Sequence, residues 1–174
     1  MMKRHIARHL EATAYHEAGH AVMTYLEGVP IHRVSIVPGT GNVGHVRHGR
    51  AGPTEAAILD HRRQAVVQRR LERRARIALA GYVAQRKFRP TSVRNHQWEA
   101  DRRTVHDCVD VLSRWSPRCH LAYWRLLQIQ TEDKLYAPQH WKMIKAVAKD
   151  LLKYRELKSV QILAAIFRAN VATP

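Results

Sequence analysis

Cysteine is nearly missing from this sequence: Cys108 and Cys119 are the only two among 174 residues. Two thiols cannot build the disulfide framework of a small secreted domain, and they fit a reduced, cytoplasmic compartment. No stretch joins a basic start, an apolar run and a small-residue cleavage site, so no secretory leader is expected. Long hydrophobic runs are also lacking. The six residues Ile162-Leu163-Ala164-Ala165-Ile166-Phe167 are among the longest, far short of the roughly 20 that a membrane-spanning helix needs. No Gly-rich turn ending in Lys-Ser or Lys-Thr is present, which argues against a nucleotide site of the phosphate-loop kind. Acidic residues are scarce as well, 14 against 30 Lys and Arg, leaving a formal charge of +16. Such an excess draws acidic partners without identifying them, because long-range attraction reads only sign.

No internal repeat or low-complexity linker divides the chain, and 45% hydrophobic residues suffice for one core, so residues 1–174 are expected to form a single domain. Its architecture is predicted to be mainly α with a small β-sheet or hairpin. Leu10, Ala14, Ala18, Ala21 and Leu26 recur at helical spacing and predict a helix from about Ile6 to Glu27, stopped by Gly28 and Pro30. Ile31–Val37 reads as a strand, Thr40-Gly41-Asn42 as a turn and Val43–Arg47 as a returning strand. Further helices are expected over Pro53–Lys87, from Trp98 through Leu112, over Leu121–Gln130, from Pro138 onward with Ile144, Val147, Leu151 and Leu152, and over Val160–Arg168. Pro90-Thr91-Ser92 reads as a loop.

The first helix carries His16-Glu17-Ala18-Gly19-His20. Four residues apart at 3.6 per turn, His16 and His20 project from one face, one turn apart, as two ligands to Zn2+ would. Glu17 lies about 100° further round, beside such a metal rather than on it, where a carboxylate can act as general base. Zinc with three protein ligands keeps a position for water, lowers its pKa toward roughly 7 and polarises a carbonyl. Protonated Glu17 can then serve the leaving amine. A third metal ligand is needed. The tract from Asn95 to Arg103 offers His96, Glu99 and Asp101, with His106 just beyond, and spacing does not choose among them.

Several segments in order resemble the peptidase domain of the FtsH-type ATP-dependent zinc proteases. They are Tyr15-His-Glu-Ala-Gly-His-Ala21-Val22, His32-Arg-Val-Ser-Ile-Val-Pro-Gly39 with Gly44 after it, Ala78-Leu-Ala-Gly-Tyr-Val-Ala84, and Leu151-Leu-Lys-Tyr-Arg-Glu-Leu157. The family's helix usually continues with acidic residues where this chain has Gln85-Arg86. Its third ligand is an aspartate opening a later helix, and Asp101, flanked here by Ala100 and Arg102, takes that place. The resemblance implies a single-domain zinc metallopeptidase fold that cleaves polypeptides, with His16, His20 and Asp101 on the metal and Glu17 as the base. It carries over neither ATP dependence nor membrane helices, so an ATPase acting in trans and a homo-oligomer are partners to consider.

Two other readings compete. A scaffold of the same fold would keep zinc without catalysis. A nucleic-acid-binding protein would use the arginine-rich stretch His61-Arg62-Arg63 and Gln68–Arg76 on phosphates. A solvated helix face accounts for that stretch equally well, and no aromatic interleaving or recognised DNA-binding motif accompanies it, so the nucleic-acid reading is not favoured.

Overall fold

A computed structural model describes residues 2–38, 44–54, 64–93, 98–113 and 116–171, with side chains from His9 onward. It is mainly helical with a small antiparallel sheet. Helix α1 (Met2–Leu26) runs through the centre. It packs on α2 (Gln64–Phe88) and on α5 (Pro138–Tyr154). Its end is set by Gly28, which takes the left-handed conformation at φ +67°. That conformation suits glycine because it has no Cβ to clash.

Helix α2 has two apolar faces. Ile77, Ala80, Val83 and Ala84 join the main core with Ala14, Ala18, Ala21 and Val22 of α1 and Ile144, Val147 and Leu151 of α5. Val67, Leu71, Ala75, Ala78 and Leu79 face a second cluster. That cluster is completed by Val105, Cys108 and Val109 of α3 (Glu99–Leu112) and Leu127 of α4 (Pro117–Tyr136). A helix clothed in apolar neighbours on both flanks is a rigid element, and this one forms a wall of the site described below.

The α1–α2 crossing is close because small residues face each other. A Cβ added to Gly19 would fall 2.4 Å from the Ala80 carbonyl oxygen and 2.6 Å from the Ala84 Cβ. Where the helices diverge, Glu27 receives Arg76 through two contacts of 2.9 and 3.1 Å and Lys134 through one of 2.9 Å, tying α1, α2 and α4 together.

The sheet has order β2-β1-β3, with β1 (Ile31–Ser35) paired antiparallel to both β2 (His45–His48) and β3 (Glu156–Lys158). Val34 pairs with Val46 on one side and Leu157 on the other. Arg155, at φ 65°, ends α5 and swings the chain into β3. Helix α6 (Ser159–Val171) then packs Ile162 and Ile166 into the main core.

Element boundaries differ from expectation for local reasons. The first strand stops at Ser35: Ile36 N–H still donates to the Arg155 carbonyl, but Arg155 N–H turns back to the Leu151 carbonyl to close α5, so the ladder ends there. Pro90–Ser92 is a 3-10 turn rather than a loop. Helix α4 runs beyond both ends of the expected segment, starting where Ser116 caps it and Pro117 occupies the first turn. The turn at 40–42 and residues 55–63 of the expected Pro53–Lys87 helix lie outside the described residues. Among the described residues, no helix is long and apolar enough to cross a membrane.

Candidate metal centre

His16, Glu17 and His20 sit mid-way along α1, all three buried. Asp101 lies in the first turn of α3, where the helix dipole favours a carboxylate. The fold brings the two histidines and Asp101 together. His16 Nε2 and His20 Nε2 are 3.1 Å apart, and Asp101 Oδ2 lies 3.1 Å from the first and 3.2 Å from the second. These three side chains form a group that could hold a metal ion, their donor atoms within 4.8 Å of one another.

The contacts behind the imidazoles decide which nitrogen faces inward. His20 Nδ1 donates to the Ile77 carbonyl at 2.7 Å, and a carbonyl can only accept. His16 Nδ1 lies 3.1 Å from Gln85 Oε1. The Gln85 amide is oriented in turn, because its Nε2 donates to the Ser92 carbonyl and hydroxyl at 3.1 and 3.3 Å. With both Nδ1 atoms turned to acceptors behind them, the two Nε2 atoms point toward one place, facing a carboxylate oxygen. That arrangement calls for a positive charge among the three, supplied by a proton shared with Asp101 or by a metal ion in its place.

The donor set fits zinc. Two imidazoles and a carboxylate are a zinc ligand set, and tetrahedral bonds of about 2.0–2.2 Å would place donor atoms roughly 3.3–3.6 Å apart, slightly wider than the 3.1–3.2 Å found. The outward N–H of each ring is held by an acceptor, as in most metal-bound histidines. Space is provided by Gly81, where an added Cβ would come within 2.4 Å of His20 Nε2 and 2.6 Å of His16 Nε2.

Protonation follows the same field. Burial pushes His20 down, but the charge and hydrogen bond of Asp101, helped by Glu17 and the Ile77 carbonyl, outweigh it and raise the pKa to about 9. Burial would raise Asp101, yet His20 and His16 hold it well below the ordinary carboxylate range. Glu17 is raised, chiefly by burial and further by Asp101, against the pull of His16, His20 and His45. Gly44 gives Glu17 its room, since an added Cβ would meet Glu17 Oε1 at 2.6 Å.

The other candidate ligands lie elsewhere. Glu99 pairs with Arg102 at 3.1 Å. His106 contacts His120 at 3.1 Å and lies tilted against Trp124, on the α3–α4 side. His96 lies outside the described residues. Of the arginine-rich stretch, Arg73 donates twice to the Ala51 carbonyl and Arg76 binds Glu27, so part of it serves the fold. Gln85, Gly81 and the Ile77 carbonyl are site components that residue-type reasoning does not find. Only Gly81 falls in the small-residue stretch Ala78–Ala84, which looks like plain helix packing until the crossing partner is known; Ile77 and Gln85 flank it.

The chain matches no family model, and no curated protein is significantly similar to it in sequence.

Proposed function

We propose that this chain is a zinc metallopeptidase of the FtsH-type fold, with His16, His20 and Asp101 holding the metal and Glu17 exchanging protons. The observation that carries the reading is the convergence of two imidazole Nε2 atoms and one carboxylate oxygen, with the buried carboxylate of Glu17 next to His16 on the same helix and outside that group. A structural site would need no such carboxylate, and burial disfavours its charged form.

When bound, zinc supplies Lewis acidity toward water and toward the scissile carbonyl. Glu17 accepts the proton of the attacking water, and its raised pKa equips it to hand that proton on to the leaving amine nitrogen. Gln85 and the Ile77 carbonyl keep the two rings in the tautomer that leaves Nε2 free. His16 and His20 are each 8% exposed, so a scissile bond reaches them only on a flexible or unfolded segment.

Purified protein is tested for bound metal and for cleavage of an unstructured polypeptide. Glu17→Gln should keep zinc and lose cleavage by about 10²–10⁴-fold, the range of proton-transfer catalysis. Asp101→Ala should lose zinc. Zinc in the wild type with no cleavage of any polypeptide would instead support the scaffold reading.

A further inference from the structure

The centre lies in a cavity of about 1190 Å³. Among the described residues its walls carry two carboxylates, Glu17 and Asp101, and both belong to the centre itself. Outside the centre, every ionisable side chain on the described wall is basic: His9, His45, His48, Arg50, Arg74 and Arg89. Arg89 is bound to Glu11 at 3.0 Å. Arg50 and Arg74 are exposed, and among the described residues neither pairs with a carboxylate.

Both arginines are set in place by the strap that follows β2. Gly49 N–H donates to the Pro30 carbonyl at 2.8 Å, and Arg73 clamps the Ala51 carbonyl from Nε and Nη2 at 3.1 and 3.0 Å. The Arg74 stem lies across Gly52, its Cδ 2.8 Å from where a Cβ would stand. Two arginines are thereby placed on the cavity wall by neighbouring stretches, one from the strap and one from α2. A chain of net charge +16 adds a long-range field of the same sign.

Resting on the peptidase reading, we propose that the cavity selects polypeptide segments bearing aspartate or glutamate near the scissile bond, with Arg50 and Arg74 as the recognising groups. Arginine pairs with carboxylates through two parallel hydrogen bonds, giving selectivity beyond charge. A polypeptide fits better than a nucleic acid. No Phe, Tyr or Trp stands on the described wall to stack bases. The wall includes β2, an edge strand of its sheet, whose backbone can pair with an extended peptide.

The test uses fluorogenic peptides that share one scissile core and differ in flanks of Asp and Glu, Ser and Gln, or Lys and Arg. Cleavage is followed with the zinc-loaded wild type, and binding is followed by anisotropy with Glu17→Gln. A single-stranded oligonucleotide serves as competitor. Acidic flanks should bind and be cut at least about tenfold better than neutral ones, with the advantage shrinking as salt screens it. The R50E/R74E protein, verified as folded by circular dichroism, should lose or invert the preference, and R50K/R74K should keep part of it. Equal handling of all three flanks, a preference unchanged in R50E/R74E, or an oligonucleotide that outcompetes the acidic peptide through the same arginines would overturn the proposal. Failure of the peptidase reading looks different: acidic peptides would bind preferentially while no peptide is cut.

Discussion

Gln85 Oε1 lies 3.1 Å from Nδ1 of His16, and its amide nitrogen is anchored on Ser92, so one side chain orients a ring of the candidate metal centre. A carboxylate at this position would accept the same hydrogen bond and add a negative charge. The neutral amide keeps the hydrogen bond and omits the charge.

Replacing it should therefore separate geometry from charge. Gln85→Leu removes the acceptor and should weaken zinc binding by about 10–100-fold, the usual cost of losing such a contact. Gln85→Glu keeps an acceptor and adds negative charge, which makes His16 a better donor to a cation. Its zinc affinity should equal or exceed that of the wild type. Competition titration against a chelator reads both, and equal affinity for all three proteins would show that the contact is idle.

Two glycines at the α1–α2 crossing make opposite predictions. At Gly81 an added methyl meets the tips of two side chains, His16 and His20, which can swing aside. Gly81→Ala should fold normally, since alanine favours helix by roughly 1 kcal/mol over glycine, and should lose zinc affinity by more than about a hundredfold. At Gly19 the methyl meets the Ala80 backbone carbonyl, which cannot move without parting the helices. Gly19→Ala should lower the Tm by an amount worth about 1–3 kcal/mol of overpacking. Thermal melts beside zinc titrations distinguish the two, and a Gly81→Ala protein with full zinc affinity would disprove the steric account.

How much of this was legible in the sequence depends on the range of the interaction. The pairing of His16 with His20 and the offset of Glu17 follow from helix geometry alone, and they stand as expected on α1. Asp101 was one of several carboxylates and histidines that spacing could not separate; only the docking of α3 on α2 places it against the ring nitrogens. Strand β3 is three residues long and exists through its pairing with Arg33, Val34 and Ser35 more than 120 positions earlier. No local pattern could announce it. Gly81 and Gln85 act across helices in the same way, so their roles appear only once the crossing is known.

The second core cluster makes a prediction that needs no activity. Cys108 is 1% exposed between α2 and α3, and burial, partly offset by Arg74, pushes its thiol up to about 11. Cys119 is exposed near the start of α4. Because the thiolate is the reactive form, an alkylating reagent at neutral pH should modify one thiol per native molecule, at Cys119, and both after unfolding. Mass spectrometry of the digested protein checks the site. Rapid native labelling of Cys108 would mean that α3 does not pack as described.

Acid should loosen the α1–α2–α4 junction through Glu27. Burial works against its ionised form, but the hydrogen bonds and charges of Arg76 and Lys134 outweigh burial and lower its pKa below the ordinary 4.5. The unfolded chain then takes up the Glu27 proton at a higher pH than the folded protein does. The stabilisation is complete above the unfolded value and is lost as pH falls through the folded one. With its side chain 8% exposed, removing the charge while keeping the shape should cost about 1.5–3 kcal/mol near neutral pH, the range for hydrogen bonds to charged groups. Glu27→Gln should therefore melt earlier than the wild type at pH 7, and the gap should narrow steadily below about pH 4.5 as the wild type loses what the variant never had. Denaturant titrations of both proteins across that interval measure it, and a gap that stays constant with pH would mean that the junction is held by packing rather than by the Glu27 carboxylate.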